Sequence, residues 1–476
     1  MNLTGIIQTV KQHWKTPAEG NYISYREFAA YSVGGVGVNT INSLFGYVAL
    51  SANCLLLGSA YGIKPTHLAY MSVIMSILNL AKTPFISMLV DNTKSKHGKF
   101  RPYLLYTGIP TAMLLIAMAF VPNTAAYPVK CVLLGCIYAF LMIFQSLYAL
   151  AFTSLAQVLT PNGEERTTLL SISSFIYNLG PSVVNLFLPI LATLTGGMTS
   201  FRTYRILFPV FSIAGVLLGL ITFHGTREKI VVPKSYVASV RFSDGIRQIW
   251  GNKYFWLINL YSILGCLKNG IASIPAWYCV YVMQNDAVLG VLNAVFGTAS
   301  VPGMLLAPWL AKRFGKRKTL IVSNLLRAVF AGLMLVTIQS PILFFVCLYL
   351  ATLSTGMEGV ITQAMTADIF DYQQWRTGKR LEGFITQFGG MLVTAANMLF
   401  GLILPYFYEH YGLKTDYSVL FDTAVRTPIF NILIITSVIS SLATILPILF
   451  YDMTEKKQRQ IIEDLKIRAE GEELVQ

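Results

Sequence analysis

The sequence predicts an all-α polytopic membrane protein of 12 transmembrane helices in two six-helix bundles, with both termini cytoplasmic. Three observations predict it. Of the 476 residues, 54% are hydrophobic and only 12% charged, against about 25% charged in soluble domains. The charges cluster in short stretches and leave long apolar runs between them. With the spans given below, 27 of the 36 lysines and arginines lie in segments on the same side as the termini, the bias that marks cytoplasmic loops. The net charge of +14 is therefore a topology signal. The same composition excludes disordered, fibrous and nucleic-acid-binding readings.

A helix crosses the hydrocarbon core with about 20 mainly apolar residues. Residues 28–56, 66–90, 103–121, 128–157, 168–194 and 204–224 meet that requirement in the first half. Residues 254–283, 288–311, 319–338, 341–365, 383–408 and 428–451 meet it in the second. Residues 1–27 are too polar for a signal peptide and read as a cytoplasmic segment. The first bundle then covers 28–225, a central cytoplasmic loop 226–253, the second bundle 254–451 and a charged helical tail 452–476. Within the central loop, Phe242, Ile246 and Ile249 alternate with Arg241, Asp244 and Arg247, the pattern of a helix lying at the membrane surface. The loop after the second span carries Gly98-Lys99-Phe100-Arg101, and the loop after the eighth carries Gly315-Lys316-Arg317-Lys318. Short basic glycine loops at matched places point to an internal duplication. Pro84, Gly180-Pro181 and Pro275 are read as bends. All six cysteines fall in apolar runs without metal-ligand spacing and are read as packing residues.

Two stretches carry a resemblance beyond architecture. Asp91-Asn92-Thr93-Lys94-Ser95-Lys96-His97-Gly98-Lys99-Phe100-Arg101-Pro102-Tyr103 resembles the loop between helices two and three of the glycoside–pentoside–hexuronide:cation symporters, the melibiose permease-like branch of the major facilitator superfamily. The run from Ala367 to Gly383 (ADIFDYQQWRTGKRLEG) is similar to that family's signature between helices ten and eleven. Spacing and topology agree from about Tyr25 to Phe450. The resemblance implies a major facilitator fold around a central cavity and transport of a sugar or glycoside by alternating access. It also implies symport with Na⁺, Li⁺ or H⁺, a bacterial cytoplasmic (inner) membrane, a working monomer and no cofactor. An enzyme is not expected: there is no HExxH, GxSxG or phosphate loop, and the five histidines are scattered.

Charged loop residues are the gating candidates: Asp91, Lys99 and Arg101 in one half, and Asp368, Asp371, Arg376, Lys379, Arg380 and Glu382 in the other. Carboxylates and cations at the cytoplasmic mouth form clusters of modest strength that break when bundles rock. The alternative for each is plain topological charge.

Ionisable residues inside spans are costly and mark function. Lys82, Lys268, Arg327 and Glu358 are the deep ones. On helix two, Asn79, Lys82 and Thr83 stand at i, i+3 and i+4 and share a face. The resemblance leads one to expect acidic cation ligands at Asn79 and Thr83, a sugar-binding aspartate at Asn39, a carboxylate at Ala149, an arginine at Ser174 and a lysine at Thr394. None of these charges is present. A hard cation wants a carboxylate in a low-dielectric site, so Lys82 reads as a tethered cation in place of a mobile one. Glu358 is the candidate proton carrier, since burial raises a carboxylate's pKa. Two readings stay open: a net-positive site that selects an anionic sugar (a uronide or sulfonated sugar), or a neutral cavity in which Lys82 or Lys268 pairs with Glu358. Planar amides and aromatic rings suit sugar binding. Those candidates are Asn39, Asn42, Gln145, Tyr148, Tyr177, Asn178, Asn269, Trp277, Gln363, Gln387 and Asn397, with Lys268 and Thr394 beside them.

Overall fold

The computed structural model describes residues 11–19, 21–91, 98–160, 163–229, 242–378 and 382–473. Arg380 lies outside the described residues, and so do the side chains of Thr83, Asp91, Glu382 and Gln387. The described residues are helical, and ten of their segments are long and apolar enough to cross a membrane. Two further helices, α1 (Tyr25–Gly46) and α2 (Pro65–Asp91), occupy the first two predicted spans. The chain forms two compact units. One comprises Met1–Tyr236, Cys279–Ala294 and Lys414–Ser418; the other comprises Val237–Tyr278, Val295–Leu413 and Val419–Gln476.

In the first unit α1 starts on a capping box. Ser24 and Glu27 exchange hydrogen bonds between side chain and backbone, which satisfies donors that a helix start leaves open. Helix α3 (Arg101–Phe120) follows, broken at Thr107, then α4 (Tyr127–Leu159). The fifth span consists of α5 (Gly163–Tyr177) and α6 (Leu179–Thr195), which part at Asn178 beside the predicted Gly180-Pro181 bend. Helix α7 (Phe201–Gly225) packs closely on α1. A side chain at Gly37 would put its Cβ 2.2 Å from the Gly215 carbonyl oxygen, so only small residues permit this approach. Tyr31 stacks on Phe152 at 4.6 Å, tying α1 to α4.

The stretches Cys279–Ala294 and Lys414–Ser418 belong to this unit although the sequence places them beyond the central loop. Three contacts account for it. The Tyr281 hydroxyl lies 2.6 Å from that of Ser59, Asp286 accepts the Met198 N–H at 2.6 Å, and the Tyr417 hydroxyl donates to Ile63 O at 3.0 Å.

In the second unit the predicted surface helix is present as α8 (Phe242–Ile249), with Ile249 buried beside Tyr254 and Phe255. Helix α9 (Lys253–Leu264) is capped by Asn252 and then tightens into a 3₁₀ stretch, Cys266–Ser273, followed by a single α turn at Pro275. Next come α10 (Asp286–Phe314), whose first turns belong to the first unit, α11 (Lys316–Thr337) and α12 (Pro341–Thr377). The last is 37 residues, about 55 Å at 1.5 Å per residue. It overruns its predicted span by more than three turns. The first half of the signature motif is therefore helix rather than loop, because its polar face finds partners instead of water. Helices α13 (Glu382–Phe400), α14 (Ile403–His410) and α15 (Thr423–Ala443) complete the bundle, and the tail forms α16 (Glu455–Glu473). All six cysteines are free thiols.

Candidate functional site

In the first unit, α1, α2 and α4 surround a cavity of about 580 Å³ lined by Phe45, Ser76, Asn79, Tyr138, Gln145 and Ser146, among others. That volume suits a small polar ligand. Gln145 donates to the Asn42 amide oxygen at 3.0 Å across the helices. Lys82 sits behind this wall, 6% exposed. Its ammonium donates to Met142 O at 2.8 Å and Ser146 Oγ at 2.5 Å, and both residues line the cavity. Among the described residues no carboxylate lies within ion-pair distance of it. An ammonium has three donors, and these two oxygens are neutral.

The second unit builds a different centre. Lys268 lies on the 3₁₀ stretch after α9, where the α pattern breaks and backbone carbonyls lose their usual donors. Neighbouring helices supply replacements. Arg327 and Ser437 donate to Lys268 O at 3.0 and 2.8 Å, and Ser440 donates to Leu264 O. A broken helix is tolerated in a membrane on these terms. The Lys268 ammonium lies 2.6 Å from Glu358 Oε1, 2.6 Å from Asn324 Oδ1 and 3.2 Å from the Tyr261 hydroxyl. It also sits 4.4 Å from the Tyr261 ring centre, a cation–π contact. Tyr261 donates to Glu358, Asn324 donates to Tyr261, and Thr444 donates to Asn324. Arg327 approaches Glu358 Oε2 at 3.7 Å and donates to Asn269 Oδ1 at 3.1 Å and Thr355 Oγ1 at 2.9 Å. Two cations thus share one carboxylate. The pairing expected as one alternative is present for Lys268, but Arg327 makes the cluster net positive rather than neutral.

The structure places Asn79 and Gln145 on one cavity, with Asn42 and Lys82 bonded to residues of its lining, and Lys268, Asn269 and Glu358 in one cluster. The other candidates stand elsewhere. Asn39 turns back on its own helix, donating to Gly35 O at 3.0 Å, and Asn178 donates to Ser174 O at 2.7 Å. Thr394 likewise donates to Gly390 O, the local bonding that short polar side chains make within helices. Tyr148 is buried in packing against Gly108 and Gly219, and Tyr177 meets the Phe152 ring edge-on. Trp277 is wholly buried against Tyr408. Asn397 and Gln363 are exposed. Thr83 and Gln387 have side chains outside the described residues.

At the turns after α2 and α10 the two units repeat a device. Gly98 and Gly315 have φ of 101° and 85°, which favours glycine. Each lies against a carboxylate: Glu228, just after α7, in the first unit and Glu455, the first residue of α16, in the second. Glu228 accepts the backbone N–H groups of Lys99, Phe100 and Arg101 at 2.7, 2.7 and 2.9 Å. Glu455 accepts that of Lys316 at 2.7 Å. A helix start carries open donors and a positive dipole end, and a carboxylate answers both. Among the gating candidates, the Arg101 guanidinium donates to Phe223 O and lies over the Phe223 ring. Lys99 lies over the Phe100 ring. Asp368 is gripped by Lys316 through both oxygens at 2.7 Å, with Gln458 donating beside it. Its partner therefore comes from the first residue of α11 and not from its own motif. Asp371 lies almost one turn further along α12. Asp91, Arg380 and Glu382 fall on positions or side chains outside the described residues.

Sequence reasoning missed Tyr261, Asn324, Glu228 and Glu455. Asn324 had a signal, since it stands three residues before Arg327 on the same face. Glu228 and Glu455 had one too: Thr226-Arg227-Glu228-Lys229 and Thr454-Glu455-Lys456-Lys457 occupy equivalent places in the two halves. Tyr261 had none, being one of 25 tyrosines in the chain.

Comparison with known proteins agrees with this architecture. The profile of the MFS/sugar transport protein family matches residues 30–455. The chain is 26% identical to the isoprimeverose transporter of Lactiplantibacillus pentosus, covering 77% of this chain and 76% of that protein. It is 24% identical to the glucuronide carrier protein homolog of Escherichia coli over 94% of this chain and 96% of that one. Among solved structures, an inward-facing, unoccupied bacterial homolog of the human lysosomal transporter Spinster shares the fold. It has a TM-score of 0.63 at 14% identity, covering 94% of this chain and 99% of that chain. With the helical bundles and the two motifs already described, the match over most of the chain shows that it belongs to the MFS/sugar transport protein family, as a glycoside–pentoside–hexuronide symporter-like member of the major facilitator superfamily, and is a multi-pass membrane transporter rather than an enzyme.

Proposed function

We propose that the protein is a carrier for an anionic sugar of the hexuronide class, and that Lys82 is the fixed cation to which the sugar's acid group pairs. One observation carries this reading: a buried ammonium, bonded among the described residues to neutral oxygens alone, stands behind the wall of a cavity lined by amides and hydroxyls. A buried cation without a counter-ion is costly, and an anionic ligand relieves that cost. The amides of Asn79 and Gln145 line the same cavity, and carboxamides are groups that bond sugar hydroxyls. Similarity to a protein named as a glucuronide carrier homolog supports the same substrate class. The lysine also shares a helix face with Asn79, where the resemblance leads one to expect a cation ligand, so in this reading transport proceeds without Na⁺. The Glu358 carboxylate, already shared by Lys268 and Arg327, is in this reading part of the scaffold rather than the proton carrier.

The test is counterflow in proteoliposomes with a glucuronide and with a neutral glycoside, each with and without Na⁺. The expected result is glucuronide exchange that is indifferent to Na⁺. Replacing Lys82→Gln should weaken glucuronide binding by about ten- to a hundredfold, the range for a charge-assisted hydrogen bond. Accumulation of the neutral glycoside that requires Na⁺ and survives Lys82→Gln would overturn the reading.

A further inference from the structure

A second concavity of about 410 Å³ lies on the first unit, where α1 and α7 meet near the cytoplasmic end. Its floor is apolar, formed by Ala29, Val33, Leu217, Leu220 and Ile221. Its rim is Trp14, Arg26 and His224. The floor faces outward: Val33, Leu217 and Ile221 are 39%, 61% and 40% exposed. They continue an exposed apolar stripe up α7 through Ile213 and Val210. Spaced at three and four residues, that stripe is the lipid-facing side of the helix.

The rim has a net positive character. Arg26 is exposed, and among the described residues no carboxylate reaches it. Its neighbour Glu27 is already engaged, accepting from Lys229 at 2.7 Å and from Ser24. The Arg26 backbone N–H donates to Trp14 O at 3.0 Å, which fixes the tryptophan beside the arginine. Trp14 is 43% exposed, and its ring is of the amphipathic kind that settles at membrane interfaces. The His224 ring is held by its Nδ1, 3.0 Å from Leu220 O. Lys11 and Lys15, both exposed, flank Trp14 in sequence.

From this we infer that the groove is a binding site for one anionic phospholipid of the cytoplasmic leaflet. An acyl chain lies along the floor between α1 and α7, and the phosphate is paired by Arg26 under the cover of Trp14 and His224. The occupant is a lipid because the floor is apolar, exposed and open to the membrane. It is anionic because the groove is lined by a guanidinium and an imidazole and by no acid, so the ammonium of a zwitterionic headgroup finds no partner. Anionic lipids are drawn to basic residues at the cytoplasmic surface. The site is separate from the sugar cavity, and the inference does not depend on the identity of the sugar.

The experiment is native mass spectrometry of the purified full chain exchanged into an equimolar mixture of phosphatidylglycerol and phosphatidylethanolamine. The protein should retain one phosphatidylglycerol in preference. Arg26→Gln should lower that retention about fivefold, the scale of one basic residue at an anionic surface. Ile221→Trp, which fills the floor without altering charge, should lower it as well. Equal retention of the two lipids would overturn the inference. So would unchanged retention in Ile221→Trp, which would reduce the effect to rim charge, or displacement of the lipid by soluble glycerol phosphate.

Discussion

Lys82 and Lys268 are both buried lysines on transmembrane helices, and they have opposite surroundings. Lys268 is bonded to a carboxylate, a carboxamide and a phenol, and its own carbonyl is held by Arg327 and Ser437. Lys82 has one carbonyl and one hydroxyl. Burial alone therefore does not assign a role to an intramembrane charge. What separates the two is whether the protein itself supplies an anionic partner. A lysine paired to a carboxylate of the protein fixes helix positions. One without such a partner beside a cavity is available to a ligand.

The contrast predicts opposite stability effects. Glu358→Gln leaves Lys268 and Arg327 facing each other in a buried site without their shared anion. The loss should be about 3–5 kcal/mol, the scale for removing one partner of a buried ion pair, read as a fall in thermal midpoint in detergent. Lys82→Met removes a cation that has no anionic partner among the described residues. Its midpoint should hold or rise, since an apolar replacement for a buried charge is often neutral or stabilising. If both variants lost stability equally, the distinction between a structural and a ligand-facing lysine would be broken.

The sequence made some of this legible and not the rest. The helical spans followed from hydropathy, because a bilayer imposes long apolar helices on a chain that crosses it in this way. The extension of α12 to Thr377 escaped, since Asp368 and Gln373 read as polar loop residues. They are helical and buried because Lys316 and Asn252 bind them from other segments. Lys82, Lys268 and Glu358 stood out as charges in apolar runs, but only coordinates separate the paired from the unpaired. Tyr148 and Trp277 show the converse: aromatic residues suited to a sugar are in fact fully buried in helix packing.

The two glycine turns, at Gly98 and Gly315, sharpen the comparison at a smaller scale. Glu228 serves three backbone donors and Glu455 one. Removal of each by Ala should cost about 2 kcal/mol at Glu228 and about 1 at Glu455, as for helix caps and charge-assisted bonds. Hydrogen exchange at residues 99–101 and at Lys316 gives the local readout. A larger effect at Glu455 would show that the number of backbone donors does not set the weight of the device.

The smallest effect belongs to the ion pairs that close each unit's last segment. Lys229–Glu27 in the first unit is 27% and 12% exposed, whereas Lys253–Asp452 in the second is 52% and 53% exposed. Partial burial works to raise the Asp452 carboxyl, but hydrogen bonds from Lys253 and Tyr254 outweigh it and hold the group down to about 2, from an ordinary 3.8. A carboxyl depressed on folding contributes stability that is complete above its unfolded pKa and disappears as pH falls through the folded value. For Asp452 that window runs from 3.8 down to about 2. Because solvent screens so exposed a pair, Asp452→Asn should change stability at neutral pH by less than about 0.5 kcal/mol. Melting curves for the variant and the parent should converge towards pH 2 and separate slightly above pH 4. A separation that persists unchanged at pH 2 would mean that Asp452 acts through packing of the tail on α9 and not through its charge.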